Sequence, residues 1–63
     1  MERKLLYTVN EAAQILAMGR SQIYLYVFRG EIESVKIGRS RRIPVEALEQ
    51  FVERLRSEQN ELN

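Results

Sequence analysis

The sequence contains no cysteine, no histidine, no aspartate and no tryptophan. Without thiols it has neither a disulfide nor a thiolate metal site, and nothing in it points to an oxidising compartment. The usual general bases, the thiol nucleophile and most transition-metal ligands are missing, so any active site would rest on Glu, Tyr, Ser or Lys alone. The composition therefore predicts a protein that is not an enzyme and that carries no cofactor and no metal. Apolar runs fall far short of the roughly 20 residues needed to span a bilayer, and the opening Met1-Glu2-Arg3-Lys4 offers no apolar signal core, which predicts a cytoplasmic protein. A chain of 63 residues makes one domain. It buries only about 60% of its unfolded surface and seldom encloses a concave small-molecule site.

What is present is a strongly uneven distribution of charge. The formal net charge is only +1, but residues 20–42 hold six cations (Arg20, Arg29, Lys36, Arg39, Arg41 and Arg42) against Glu31 and Glu33, a local +4. Residues 43–63 hold Arg54 and Arg56 against five glutamates, a local −3. The densest positive stretch, Gly38-Arg39-Ser40-Arg41-Arg42, lies between Val35-Lys36-Ile37 and Ile43, where a hairpin tip is expected. That is the position of the wing in a winged DNA-binding domain, and a basic middle of this kind is the footprint of a protein that neutralises phosphates.

Local signals predict three helices, at about 8–16, 20–28 and 45–56. Thr8-Val9-Asn10-Glu11 reads as a capping box, after which Val9, Ala12, Ala13 and Leu16 fall at helical spacing, with Ile15 widening the apolar stripe. Ala17-Met18-Gly19 forms a three-residue break, with Gly19 as a weak N-cap for the second helix. That helix stops at Arg29-Gly30, the glycine suiting the left-handed position after a helix end. Steps of 100° around it, centred on Ile23, place Arg20, Val27 and Tyr26 within about 60° of the buried side, with Ile23, Val27 and Tyr26 as the core set, and put Ser21, Gln22, Leu25, Phe28 and Arg29 outward. Two helices joined by so short a turn have the spacing of a helix-turn-helix, whose second helix enters the major groove.

A two-stranded wing is expected over about 34–43, with Val35 and Ile37 alternating with Ser34 and Lys36, and Ile43 returning opposite them while Arg42 faces out. Pro44 closes the hairpin and opens the third helix, on which Leu48, Phe51, Val52 and Leu55 form the core stripe. Residues 57–63 lack periodicity and read as a frayed or disordered tail to a domain of residues 1–56. The fold class is mostly α with a small β-hairpin wing.

The ordered set Tyr7-Thr8-Val9-Asn10-Glu11-Ala12-Ala13, Ile23-Tyr24, Arg29-Gly30-Glu31-Ile32, Val35-Lys36-Ile37-Gly38-Arg39 and Arg41-Arg42-Ile43-Pro44 resembles the excisionase-type helix-turn-helix family. This is a compact relative of the mercury-resistance-regulator type of winged helix. The resemblance covers roughly residues 6–55 and implies a small winged helix-turn-helix that binds double-stranded DNA. Better-known members of that family are recombination directionality factors of phages and integrative elements, and others are transcriptional regulators. The chain departs from the pattern at Gly19, where the family usually has Ser or Thr, and at Leu25 and Phe28, where it often has Arg and a polar residue.

The DNA-contacting set expected on these grounds is Arg20, Ser21, Gln22, Tyr24, Leu25, Arg29, Lys36, Arg39, Ser40, Arg41 and Arg42. Gln22 has the donor and acceptor for adenine, and Arg20 the donors for guanine or a phosphate; a solvated first turn is the plain alternative. Tyr24 is read as a phosphate contact and Tyr26 as core. The wing arginines, with Lys36 behind them, are placed to follow the backbone or enter a narrow minor groove, against the alternative of a solvated loop. Leu25 and Phe28 have three open readings: contact with thymine methyls, packing against a neighbouring protein, or shielding of the third helix. The function expected is that of an excisionase-like accessory factor that bends DNA for a site-specific recombinase, with cooperative self-association on DNA. A small transcriptional regulator is the alternative and a protein-interaction adaptor the remote one. The acidic third helix is expected to face away from DNA, toward a basic partner.

Overall fold

In the computed structural model, which describes residues 4–62, six elements follow one another: β1 (Leu6–Thr8), α1 (Val9–Ile15), α2 (Arg20–Phe28), β2 (Val35–Ile37), β3 (Ser40–Pro44) and α3 (Val45–Leu62). The expected helices are present around an antiparallel sheet of order β1-β3-β2. The hairpin β2–β3 is the two-stranded wing that was expected, and β1 adds a third strand to its sheet. Leu6, Tyr7 and Thr8 pair with Pro44, Ile43 and Arg42, and Val45 N–H continues the ladder by donating to the Leu5 carbonyl at 2.9 Å.

The capping box is formed. Thr8 Oγ1 accepts from Glu11 N–H at 3.0 Å, and Glu11 Oε1 accepts from Thr8 N–H at 2.8 Å. Lys4 Nζ adds a 2.5 Å contact to Glu11 Oε2 and lies 5.3 Å from the Tyr7 ring centroid. That lysine hydrogen bond, followed by the one from the Thr8 backbone, holds the Glu11 carboxyl down at about 2.

Both α1 and α2 end in the same closure. Past α1, Ala17 N–H donates to Gln14 O and Met18 N–H to Ala13 O; past α2, Gly30 N–H donates to Val27 O and Glu31 N–H to Tyr26 O. These are Schellman bonds, which require a left-handed residue at the turn. Gly30 supplies it at φ +79°, whereas after α1 the position falls to Ala17 at φ +55°.

The buried set is Val9, Ala12, Ala13, Ile23, Ile32, Ile43, Ala47, Leu48 and Phe51. Phe51 meets Tyr26 with ring centroids 5.0 Å apart, and Tyr26, Val27, Leu16 and Leu55 pack as half-buried edges. Four sequence expectations are corrected. Ile15 and Val52 do not enter the core: each lies at the edge of its stripe and is left exposed. Val35 and Ile37 are exposed as well, because the two-residue loop Gly38-Arg39 sets Ile37 opposite Ser40 and Val35 opposite Arg42. Ile43 therefore opposes Tyr7 of β1 rather than β2, and Arg42 shares the face of Val35 and Ile37. Finally, α3 does not stop near Arg56. Residues 57–62, expected to be frayed, continue the helix, since Ser57-Glu58-Gln59-Asn60 contains neither Gly nor Pro and propagation needs no apolar stripe. Asn63, the end of that expected tail, and residues 1–3, read for a signal core, lie outside the described residues.

Candidate nucleic-acid interface

Ile23, fully buried, fixes the rotation of α2 and turns the other side of the helix outward. On that side Tyr24 and Leu25 are about half exposed and Phe28 is 90% exposed. A groove of about 570 Å³ runs between this face and the wing, lined by Ser21, Tyr24, Leu25, Val27 and Phe28 of α2 and by Arg41 of β3. Arg41 is braced there by Nη1, which donates to Ser34 Oγ at 2.8 Å.

The first turn of α2 contributes Ser21 to this lining. Gly19 stands at the N-cap in extended conformation and makes no side-chain cap bond, so the first amides of α2 keep their donor capacity for an anion. Arg20 and Gln22 are exposed beside them.

Pairing register divides the basic wing between two faces. Lys36 is the cross-strand partner of Arg41 and shares its face. Arg42 stands on the other face, between Thr8 and Val35, where its Nη1 donates to the Arg41 carbonyl at 3.3 Å. Ser40, opposite Ile37, is on the Arg42 face as well. Arg39 occupies the hairpin tip next to Gly38, whose φ of +61° is the value a type II′ turn asks of its first central residue. Arg29 is at the far end of α2, 3.8 Å from Glu31.

Of the residues expected from the sequence, Ser21, Tyr24, Leu25 and Arg41 thus meet in one groove, with Lys36 on the same face. Arg42 and Ser40 are turned to the other side of the sheet, and Arg29 is drawn toward a carboxylate. Three participants were absent from the expected set: Val27, Phe28 and the bracing Ser34. Phe28 was on the outward arc of α2 and could have been included on that signal alone. Ser34 became legible only with the hairpin register. Among the described residues no group of three or more His, Cys, Asp or Glu side chains could hold a metal ion, and no helix is long and apolar enough to cross a membrane.

Comparison with known proteins agrees with this architecture. The profile of the helix-turn-helix domain family matches residues 6–56. The chain is also similar to a protein of Saccharopolyspora erythraea named as a probable excisionase, with 47% identity over 60 residues, covering 95% of this chain and 61% of the relative. The chain thus spans about three-fifths of the length of that relative. No solved structure gives a significant match.

Proposed function

The chain belongs to the helix-turn-helix domain family, and from that premise we propose that it is an excisionase-type accessory factor that binds a short site in double-stranded DNA. The observation that carries this reading is the convergence of the outward face of α2 and Arg41 of the wing on one groove. In the proposed complex α2 lies in the major groove, its first-turn amides, Arg20 and Gln22 near the phosphates and base edges. Lys36 and Arg41 neutralise phosphate beside it, while Arg39, Ser40 and Arg42 follow the neighbouring backbone. Tyr24 donates its hydroxyl to a phosphate, and Arg29 stands as an outer backbone contact.

The protein contributes geometry rather than chemistry. Copies bound at adjacent sites bend the duplex and so present it to a site-specific recombinase, the partner of the proposed reaction. Smooth bending of some 20–30 base pairs by 40–90° costs on the order of 1–6 kcal/mol. A single module of this size needs repeated, cooperative contacts to offset that.

Band-shift titration on the DNA flanking the gene, followed by an in vitro excision assay with the neighbouring recombinase, tests the reading. Expected are discrete bands that form cooperatively and stimulation of excision over integration. The absence of a specific complex at low salt, where phosphate neutralisation contributes most, would overturn DNA recognition in favour of an adaptor role. Specific DNA binding with no effect on recombination would instead make the protein a transcriptional regulator acting through the same surface.

A further inference from the structure

The amphipathic patterns of α1 and α3 hold more apolar surface than the fold consumes. Ile15 is 55% exposed and Val52 39% exposed, although both continue the stripes that build the core. They lie in one place. A second groove, of about 420 Å³, is lined by Ile15 and Leu16 on one side and by Val45, Leu48 and Val52 on the other, with Tyr7 completing the apolar lining. Glu49 and Glu53 of α3 add carboxylates to it. This groove shares no residue and no secondary-structure element with the α2–wing groove, so an occupant would leave the proposed DNA surface uncovered.

We propose that this α1–α3 groove is the docking site for a basic amphipathic helix of a partner protein. An apolar channel flanked by carboxylates fits a helix whose apolar side chains at i, i+3 and i+4 enter the channel while lysines or arginines beside them meet Glu49 and Glu53. The residues from 43 onward carry a net −3, so the wider surroundings have the sign that attracts such a segment. Neither carboxylate is free: Glu49 is engaged within the chain, and Glu53 is 3.4 Å from Arg56 with both of those side chains at least 70% exposed; an exposed pair of that kind is worth little and exchanges readily for another cation.

A second copy of this chain fits poorly. A two-fold contact through the groove would set Glu49 and Glu53 against their own images, and the strongly basic α2–wing face of a neighbour is the surface assigned to DNA in the proposed function. An anionic membrane surface is disfavoured by the same carboxylates. That the partner is the recombinase rests on the proposed function; that the groove takes a basic helix does not.

The test uses two synthetic helices of identical leucine pattern, one with lysine and one with glutamate at the polar positions, titrated into the full-length protein while methyl resonances are followed by NMR. The lysine helix is expected to shift Ile15, Val45, Leu48 and Val52 while leaving Leu25 unmoved. It should bind at least about tenfold tighter than the glutamate helix, a preference that salt reduces. Glu49→Lys with Glu53→Lys, both at exposed positions, should reverse the preference, and Val52→Ser should weaken both helices while the protein keeps a cooperative melt. Equal binding of the two helices, shifts confined to α2, or no shift at all would overturn the proposal. So would concentration-dependent shifts of the same methyls without peptide, which would make a second copy the occupant. Wild type that binds the lysine helix but no DNA would leave the docking site standing and remove the recombinase. Wild type that binds DNA but not the helix would do the reverse.

Discussion

Lys36 and Arg41 stand directly opposite one another across the wing, two like charges in cross-strand register. Such a pair costs stability in the free protein and is relieved when an anion is placed between or beside the charges, as a phosphate would be. Lys36→Thr should therefore stabilise the free domain by roughly 0.2–1 kcal/mol while weakening its binding to DNA. Arg41→Ala and Arg42→Ala should each lower affinity with little change in folding midpoint. If each contacts phosphate, each should reduce the slope of log K against log salt by about 1. Thermal melts and band shifts over a salt series check both parts, and unchanged affinity in both arginine variants would remove the wing from recognition.

Phe51→Ala should unfold the domain rather than disarm it. Phe51 is 2% exposed and holds the Tyr26 ring at 5.0 Å, so it ties α3 to α2. Losing it should cost about 3–5 kcal/mol, comparable with the whole stability of a chain this small. A cooperative melt in circular dichroism close to that of wild type would show that α3 is not anchored through this ring.

Ala17 and Gly30 fill the same position in equivalent helix closures, yet only one of them is free of a Cβ. Replacing Ala17 by Gly should relieve about 1–2 kcal/mol of left-handed strain, less the roughly 0.4–1 kcal/mol of chain entropy that glycine adds to the unfolded state. The expected net is a modest stabilisation. Gly30→Ala is the mirror test: a Cβ there meets nothing within 4 Å, so any loss of stability is conformational. Chemical denaturation of both variants should give shifts of opposite sign, and equal destabilisation would contradict the shared geometry.

These closures also mark how far the sequence could be read. Thr8 with Glu11, Gly19, Gly30 and Ile23 act through their own few neighbours, so the helix starts, one helix stop and the rotation of α2 were legible. Ala17 has no such signature: alanine takes a left-handed φ here only because α1 must close within three residues of α2. β1 was missed because Leu6-Tyr7-Thr8 becomes a strand only through Ile43, far away in the chain. The exposed Val35 and Ile37 depend likewise on where the Gly38-Arg39 loop sets the register, whereas the buried Ile32 is placed by the closure after α2, its N–H donating to the Tyr26 carbonyl at 3.3 Å. At the candidate site the same division holds. The cluster of positive charge was visible, but its partition, with Arg41 toward α2 and Arg42 away, required the pairing of strands.

Acid should test the capping box. The Glu11 carboxyl is held at about 2 against an ordinary 4.5, first by the hydrogen bond from Lys4 and then by that from the Thr8 backbone. A carboxylate depressed on folding contributes stability that is fully present above its unfolded value and is lost as pH falls toward the folded one. The contribution should thus be intact at neutral pH and decline from about 4.5 to about 2. Glu11→Gln should lower the melting temperature at neutral pH and narrow its gap to wild type as the pH falls through that window. A gap that stays constant with pH would show that the Glu11 charge plays no part.

Leu25 offers the sharpest test of recognition, because an apolar side chain on a groove-facing surface requires an apolar partner. It is 45% exposed and lines the groove together with Tyr24, Phe28 and Arg41. The apolar feature that the major groove displays is the thymine methyl. If Leu25 meets one, replacing thymine by uracil at a single position of the site should weaken wild-type binding and leave Leu25→Ala indifferent to the replacement. Phe28→Ala serves as the contrast: at 90% exposure that ring can reach a neighbouring copy on the DNA, and its loss should reduce cooperativity on multi-site DNA while sparing single-site affinity. Equal binding of Leu25→Ala and wild type to a thymine-containing single site would sink the base-contact role and leave Leu25, like Phe28, to contacts between proteins.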